Sequence, residues 1–232
     1  MSGHAEVLFI LAAFNSSYSG DCLSSVFKYL VKQHHYTAQL DNDVSGLLFS
    51  EGTNGFIATS INTRNKTLVE IQKESPWLRL EGLVTIGEVV DFAEVYLYPV
   101  ENETEQCGLS ISLGSSFYDS IYDEDGFDEE AKQALIGFCL GVANTAKSDG
   151  FVLVFDDEQQ RQLGQRNVLK IRSDLLLGSI EELKREPKLI TGIRNNFVLK
   201  EEVEAVWGKE ENIYETTNGY IILDILLPDE SE

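Results

Sequence analysis

The sequence predicts an α+β fold, a largely antiparallel mixed sheet flanked by about four helices. Three observations predict it. Short, wholly apolar runs of strand length occur at Val7–Phe14 and Phe151–Phe155. Leu109, Ile111 and Leu113 alternate with Ser110 and Ser112, the period of a strand with one wet face. Helical patterns stand between the strands without a regular βαβ rhythm, which argues against a parallel sheet.

Val7–Phe14 is apolar at every position, so it reads as a strand covered on both faces. A helix follows, opened by Asp21 as N-cap and ending near Gln33, with Val26, Phe27, Leu30 and Val31 on its apolar face. Asp41-Asn42-Asp43 and Ser45-Gly46 signal a turn, and Leu47–Phe49 a short strand. Phe56–Ile61 and Leu68–Gln72 read as two strands of a hairpin. Val89–Tyr98 is a longer strand closed by Pro99.

The strongest helix pattern spans Asp128–Ser148. Asp128, Glu129 and Glu130 suit its positive N-terminus, and Leu135, Phe138, Cys139, Val142 and Ala146 share one face. Gly137 and Gly141 allow another element to approach, and Gly150 supplies the stop. Further helices are predicted over Ser173–Arg185 and Glu201–Trp207, and a last strand over Tyr220–Leu227. The chain reads as one domain, residues 1–232. The shift to Ser, Tyr and Asp across 114–126 marks the one place where it could be subdivided.

Hydrophobic residues make up 43% of the 232, enough for a real core. Thirty-nine acids against 18 bases give a formal charge of -21. Such a charge repels phosphate backbones and anionic lipid, and attracts cationic proteins. It is also unevenly placed. Residues 80–131 contain fourteen acids and no base, two-thirds of the net charge, whereas 161–200 hold nine bases and four acids.

Within that acidic tract, carboxylates interleave with aromatics from Phe117 to Asp128. Aromatic rings supply rigid contact area and carboxylates receive Arg and Lys, so Tyr118, Asp119, Tyr122, Asp123, Glu124, Asp125, Asp128 and Glu129 form a candidate partner-binding site. The competing reading is a solvated loop whose acids cap the next helix.

Other chemistries find less support. Cys22, Cys107 and Cys139 are odd in number and widely spaced, as free buried thiols are. Calcium loops around Asp41 and around Asp123 both lack the acid needed at the twelfth position. Asp156, Asp157 and Glu158 after an apolar strand are the best divalent-metal candidates, and equally an ordinary helix start. The histidines are His4, His34 and His35; the last two follow a helix end, where a cationic imidazole suits the dipole. No nucleophile elbow, P-loop or dinucleotide fingerprint occurs. No cofactor and no enzymatic activity are expected. The first apolar run lacks a basic start, and nothing reaches the roughly 18 apolar residues of a membrane span. A cytoplasmic protein is the expectation.

The acidic–aromatic stretch Tyr118–Asp128, with the closing segment containing Val203, Val206, Trp207, Tyr214, Gly219 and Tyr220–Leu226, resembles the immunity proteins of bacterial toxin systems in overall character. The resemblance implies a non-enzymatic inhibitor that caps a cognate basic toxin, of nuclease type. A carboxylate-dependent metalloenzyme and a scaffold whose acidity serves solubility are the alternatives. The oligomeric state stays open.

Overall fold

A computed structural model describes residues 6–12, 21–38, 43–50, 55–62, 78–99, 107–123, 126–148, 150–156, 190–194, 199–207, 213–217 and 219–224. Within them the fold is mixed α+β. The helices are α1 (Asp21–Gln33), a single turn α2 (Ser116–Asp119), α3 (Glu129–Thr145) and α4 (Lys200–Trp207). The strands are β1 (Glu6–Ala12), β2 (Thr37–Ala38), β3 (Asp43–Ser50), β4 (Gly55–Asn62), β5 (Leu78–Ile86), β6 (Val89–Pro99) and β7 (Cys107–Leu113). They continue with β8 (Tyr122–Asp123), β9 (Gly126–Phe127), β10 (Gly150–Asp156), β11 (Ile190–Arg194), β12 (Ile213–Glu215) and β13 (Tyr220–Asp224).

Every strand pairing among the described residues is antiparallel. One sheet runs β12-β13-β11-β10-β1-β7-β6-β5-β3-β4, with β2 also paired to β5; β8 and β9 form a separate small hairpin. The apolar run of β1 lies inside the sheet, between β10 and β7. Ile111, Ser112 and Leu113 of β7 are buried in succession, as are Tyr220, Ile221 and Ile222 of β13. Because successive strand residues point to opposite faces, both faces are covered there. The Leu/Ser alternation thus belongs to an interior strand; Ser112 is buried as well.

α1 and α3 pack together over the inner face. Leu135, Phe138, Cys139, Val142 and Ala146 are all buried, as the spacing predicts. Val26 and Leu30 of α1 join them, but Val31 is 42% exposed. Phe117 and Ile121, from the segment where a subdivision was expected, belong to this same core cluster. Lys132 near the start of α3 reaches the Tyr214 ring of β12, while Ala134 abuts the β5–β6 turn at Gly87. Strands far apart in the sheet order thus meet the first turns of α3, and the sheet bends around the helix.

Several expectations change. Phe56–Ile61 lies in β4, whose partner is β3 (Ser50↔Gly55); Leu68–Gln72 lies outside the described residues. Three helices of two turns or more are described, not about four; the expected helix Ser173–Arg185 lies outside the described residues, as do residues 225–227 of the last strand. α3 does not run to Ser148 with Gly150 as its stop. It ends at Thr145, Lys147 takes the left-handed conformation (φ 50°), and Gly150 begins β10. The chain turns so tightly because buried Ser148 accepts the Gly150 N–H at 3.1 Å, while Tyr220 Oη donates to Ser148 O at 2.6 Å. Phe151 lies across from Gly192, where any Cβ would meet its ring, so the glycine makes room for the aromatic.

The helix pair is fastened at one point. A Cβ on Gly141 would lie 1.7 Å from Tyr29 Oη, so Tyr29 occupies the space that glycine leaves. Next to it, His34 lies 4.9 Å edge-on from the Phe138 ring. His34 Nδ1 is 2.9 Å from Thr85 O, and Nε2 is 3.2 Å from Tyr29 Oη. A carbonyl can only accept, so Nδ1 carries the proton, while the Tyr29 hydroxyl can donate to a neutral Nε2 or accept from a protonated one. Thr85 N–H returns a bond to His34 O at 2.8 Å. Burial, the largest cause, lowers the His34 pKa below 6.5, with His35 adding to the shift and the Thr85 carbonyl opposing it. This shift opposes the cationic, dipole-complementing His34 expected from the sequence. His35 instead adopts φ 49° and turns the chain into β2.

Two measurements check this packing. Gly141→Ala is expected to destabilise by about 1–3 kcal/mol in urea titrations, because Tyr29 must shift. Gly137→Ala, four residues earlier with nothing within 4 Å of its added methyl, is expected to stabilise by about 0.5–1 kcal/mol. The second check concerns His34. Its folded pKa is lowered, so the unfolded chain takes up the proton first. The stability it contributes is complete above about pH 6.5 and is lost as pH falls through the lower folded value. Wild-type unfolding free energy should therefore drop from pH 7.5 towards about pH 5.5, and His34→Gln should flatten that segment. An identical slope in the variant would count against the neutral bridge.

Candidate functional site: the acidic end of the sheet

β5 and β6 are joined by Gly87 and Glu88 between paired Ile86 and Val89. Gly87 has φ 60°, which a side chain resists, and its Cα hydrogen faces Ala134 of α3. The turn is thereby held against α3, with Glu88 exposed. Asp91 then ties β6 to the segment beyond β7. Its carboxylate accepts from Phe92 N at 2.7 Å and from Ser116 N, the first residue of α2, at 3.1 Å. It lies over Gly114, where a Cβ would come within 2.2 Å of a carboxylate oxygen. Gly114 N–H donates to Phe92 O at 2.9 Å.

From α2 the chain enters the β8–β9 hairpin, registered Tyr122↔Phe127 and Asp123↔Gly126. Phe117 and Ile121 are buried beneath this stretch and anchor it. Asp128 N–H bonds Ile121 O at 2.9 Å, and its carboxylate caps α3 by accepting from Glu130 N (2.8 Å) and Ala131 N (3.0 Å).

The eight residues singled out from the sequence therefore have different positions. Asp119, Asp128 and Glu129 are exposed. Tyr118 lies in α2, and Tyr122 and Asp123 lie in β8. Glu124 and Asp125 lie outside the described residues. Asp128 has the capping role of the competing reading as well as exposure. Glu129 accepts from Gln133 Nε2 at 2.8 Å and lies 3.4 Å from Lys132 Nζ. The Gln133 bond chiefly holds its carboxyl below the usual range, with burial opposing and Lys132 adding to the lowering.

Lys132 ends the base-free tract, yet its ammonium is not offered outward. The residue is buried, pairs with Glu129 and lies 5.9 Å from the centre of the Tyr214 ring. A second pair, Lys200 with Glu215 at 3.0 Å, sits on α4 and β12 and leaves the acidic tract untouched. Of the tract's described carboxylates, Glu81, Glu88, Asp119, Asp128, Glu129 and Glu130 are exposed; Asp91 and Glu94 are half-buried.

Glu81, Glu88, Asp91 and Glu94 belong to the fourteen acids of the tract but were not among the eight candidate site residues. Alternation along Val89–Tyr98 held the signal: it separates Val90, Phe92 and Glu94 from Val89, Asp91, Ala93 and Val95. Only the pairing with β5 shows which set is outside.

The other chemistries meet little here. Asp156 ends β10 opposite Glu6, and Asp157 and Glu158 lie outside the described residues. Among the described residues no group of three or more His, Cys, Asp or Glu is placed to hold a metal. Cys139 is a free thiol, fully buried, with its pKa pushed well up by burial. No described helix is long and apolar enough to cross a membrane. No family model matches the chain, and no curated protein or solved structure matches it either.

The two kinds of carboxylate respond differently to substitution. Asp128→Ala is expected to cost about 1 kcal/mol by chemical denaturation, because two amides lose their acceptor. Asp128→Asn keeps the cap, and Asp119→Asn and Glu130→Gln touch no cap; each should stay within about 0.5 kcal/mol of wild type.

Proposed function

We propose that this chain is a non-enzymatic binding protein whose acidic end receives a cationic protein, and that it acts as an antidote by covering the active surface of a basic toxin. The observation that carries this reading is the concentration of exposed carboxylates at one end of the fold. Glu88 on the β5–β6 turn, Asp119 on α2, and Asp128, Glu129 and Glu130 at the start of α3 come from three segments held together by Asp91, Gly87 and Ile121. The base that closes this tract in sequence, Lys132, is buried and engaged.

Such an arrangement suits recognition of charge. Exposed carboxylates on neighbouring segments raise the local negative potential, which speeds encounter with a positive surface and favours Arg-rich partners. The nuclease type of toxin is what the resemblance to immunity proteins implies, and it suits the same charge logic, because a surface that grips nucleic acid is cationic.

The test is capture at low salt from the cells that encode the chain, followed by affinity measurement on the protein retained. The expected partner is basic, and its affinity falls at least about tenfold between 50 and 300 mM NaCl, since exposed charges are screened beyond about 10 Å at 0.1 M. A Glu88→Gln/Asp119→Asn/Glu130→Gln triple variant should show a weaker complex and a shallower salt slope. A partner bound equally well at both salt concentrations, and equally by the variant, would contradict the reading.

A further inference from the structure

We draw no further inference here: the strongest candidate, the outer face of the β5–β6 hairpin where Leu83, Val90 and Phe92 stand exposed, carries nothing because no feature of the described residues shows what covers it.

Discussion

Close approach of α1 to α3, permitted by the missing side chain at Gly141, is the contact on which the remaining geometry depends. Tyr29 fills that space and presents its hydroxyl to His34. His34 passes the restraint to β5 through Thr85, with bonds in both directions. β5 fixes β6 by nine registered pairs, and their turn meets α3 at Gly87. Asp91 then carries the restraint from β6 to α2. A single helix crossing thus locates the strand pair, the turn and the acidic segment relative to one another. His34 fits this role because both of its nitrogens are engaged.

The acidic tract divides by physical task. Asp91 and Asp128 accept backbone N–H bonds that the chain would otherwise leave without protein partners, at a helix start in each case. Their charge is an accompaniment to that task. Glu88, Asp119 and Glu130 are exposed at the same end, where they add negative potential. The two groups sit together because helix N-termini attract carboxylates in any fold. A binding surface built next to one gains local charge without a separate device.

The inner architecture was legible in the sequence because it follows from periodicity. The buried face of α3, the extent of α1 and the strands at 89–99, 107–113 and 150–156 all came from spacing of apolar residues. Other features depend on partners distant in the chain. Val31 fits the apolar stripe of α1 but falls at its rim. The partner of Phe56–Ile61 could not be told from composition, since β3 and the 68–72 segment both flank it with turn residues. β5 was missed because Arg79, Glu81 and Gly82 interrupt its apolar pattern, and Gly82 makes sense only beneath Tyr36, whose ring lies 2.8 Å from where a Cβ would stand. His34 looked like a dipole-complementing cation until Thr85, 51 residues away, supplied its acceptor. At the site, Asp119, Asp128 and Glu129 were found by composition, whereas the outward Leu83–Phe92 pair required the cross-strand register.

The proposed function requires negative potential to be greatest at the end formed by the β5–β6 turn, α2 and the start of α3. Paramagnetic relaxation of amide signals, compared between a cationic and an anionic nitroxide of equal size, measures that potential residue by residue. The ratio of cationic to anionic enhancement is expected to peak at residues 87–88, 116–119 and 128–131. A ratio that is uniform over the molecule, or highest on β11 and β13, would contradict it.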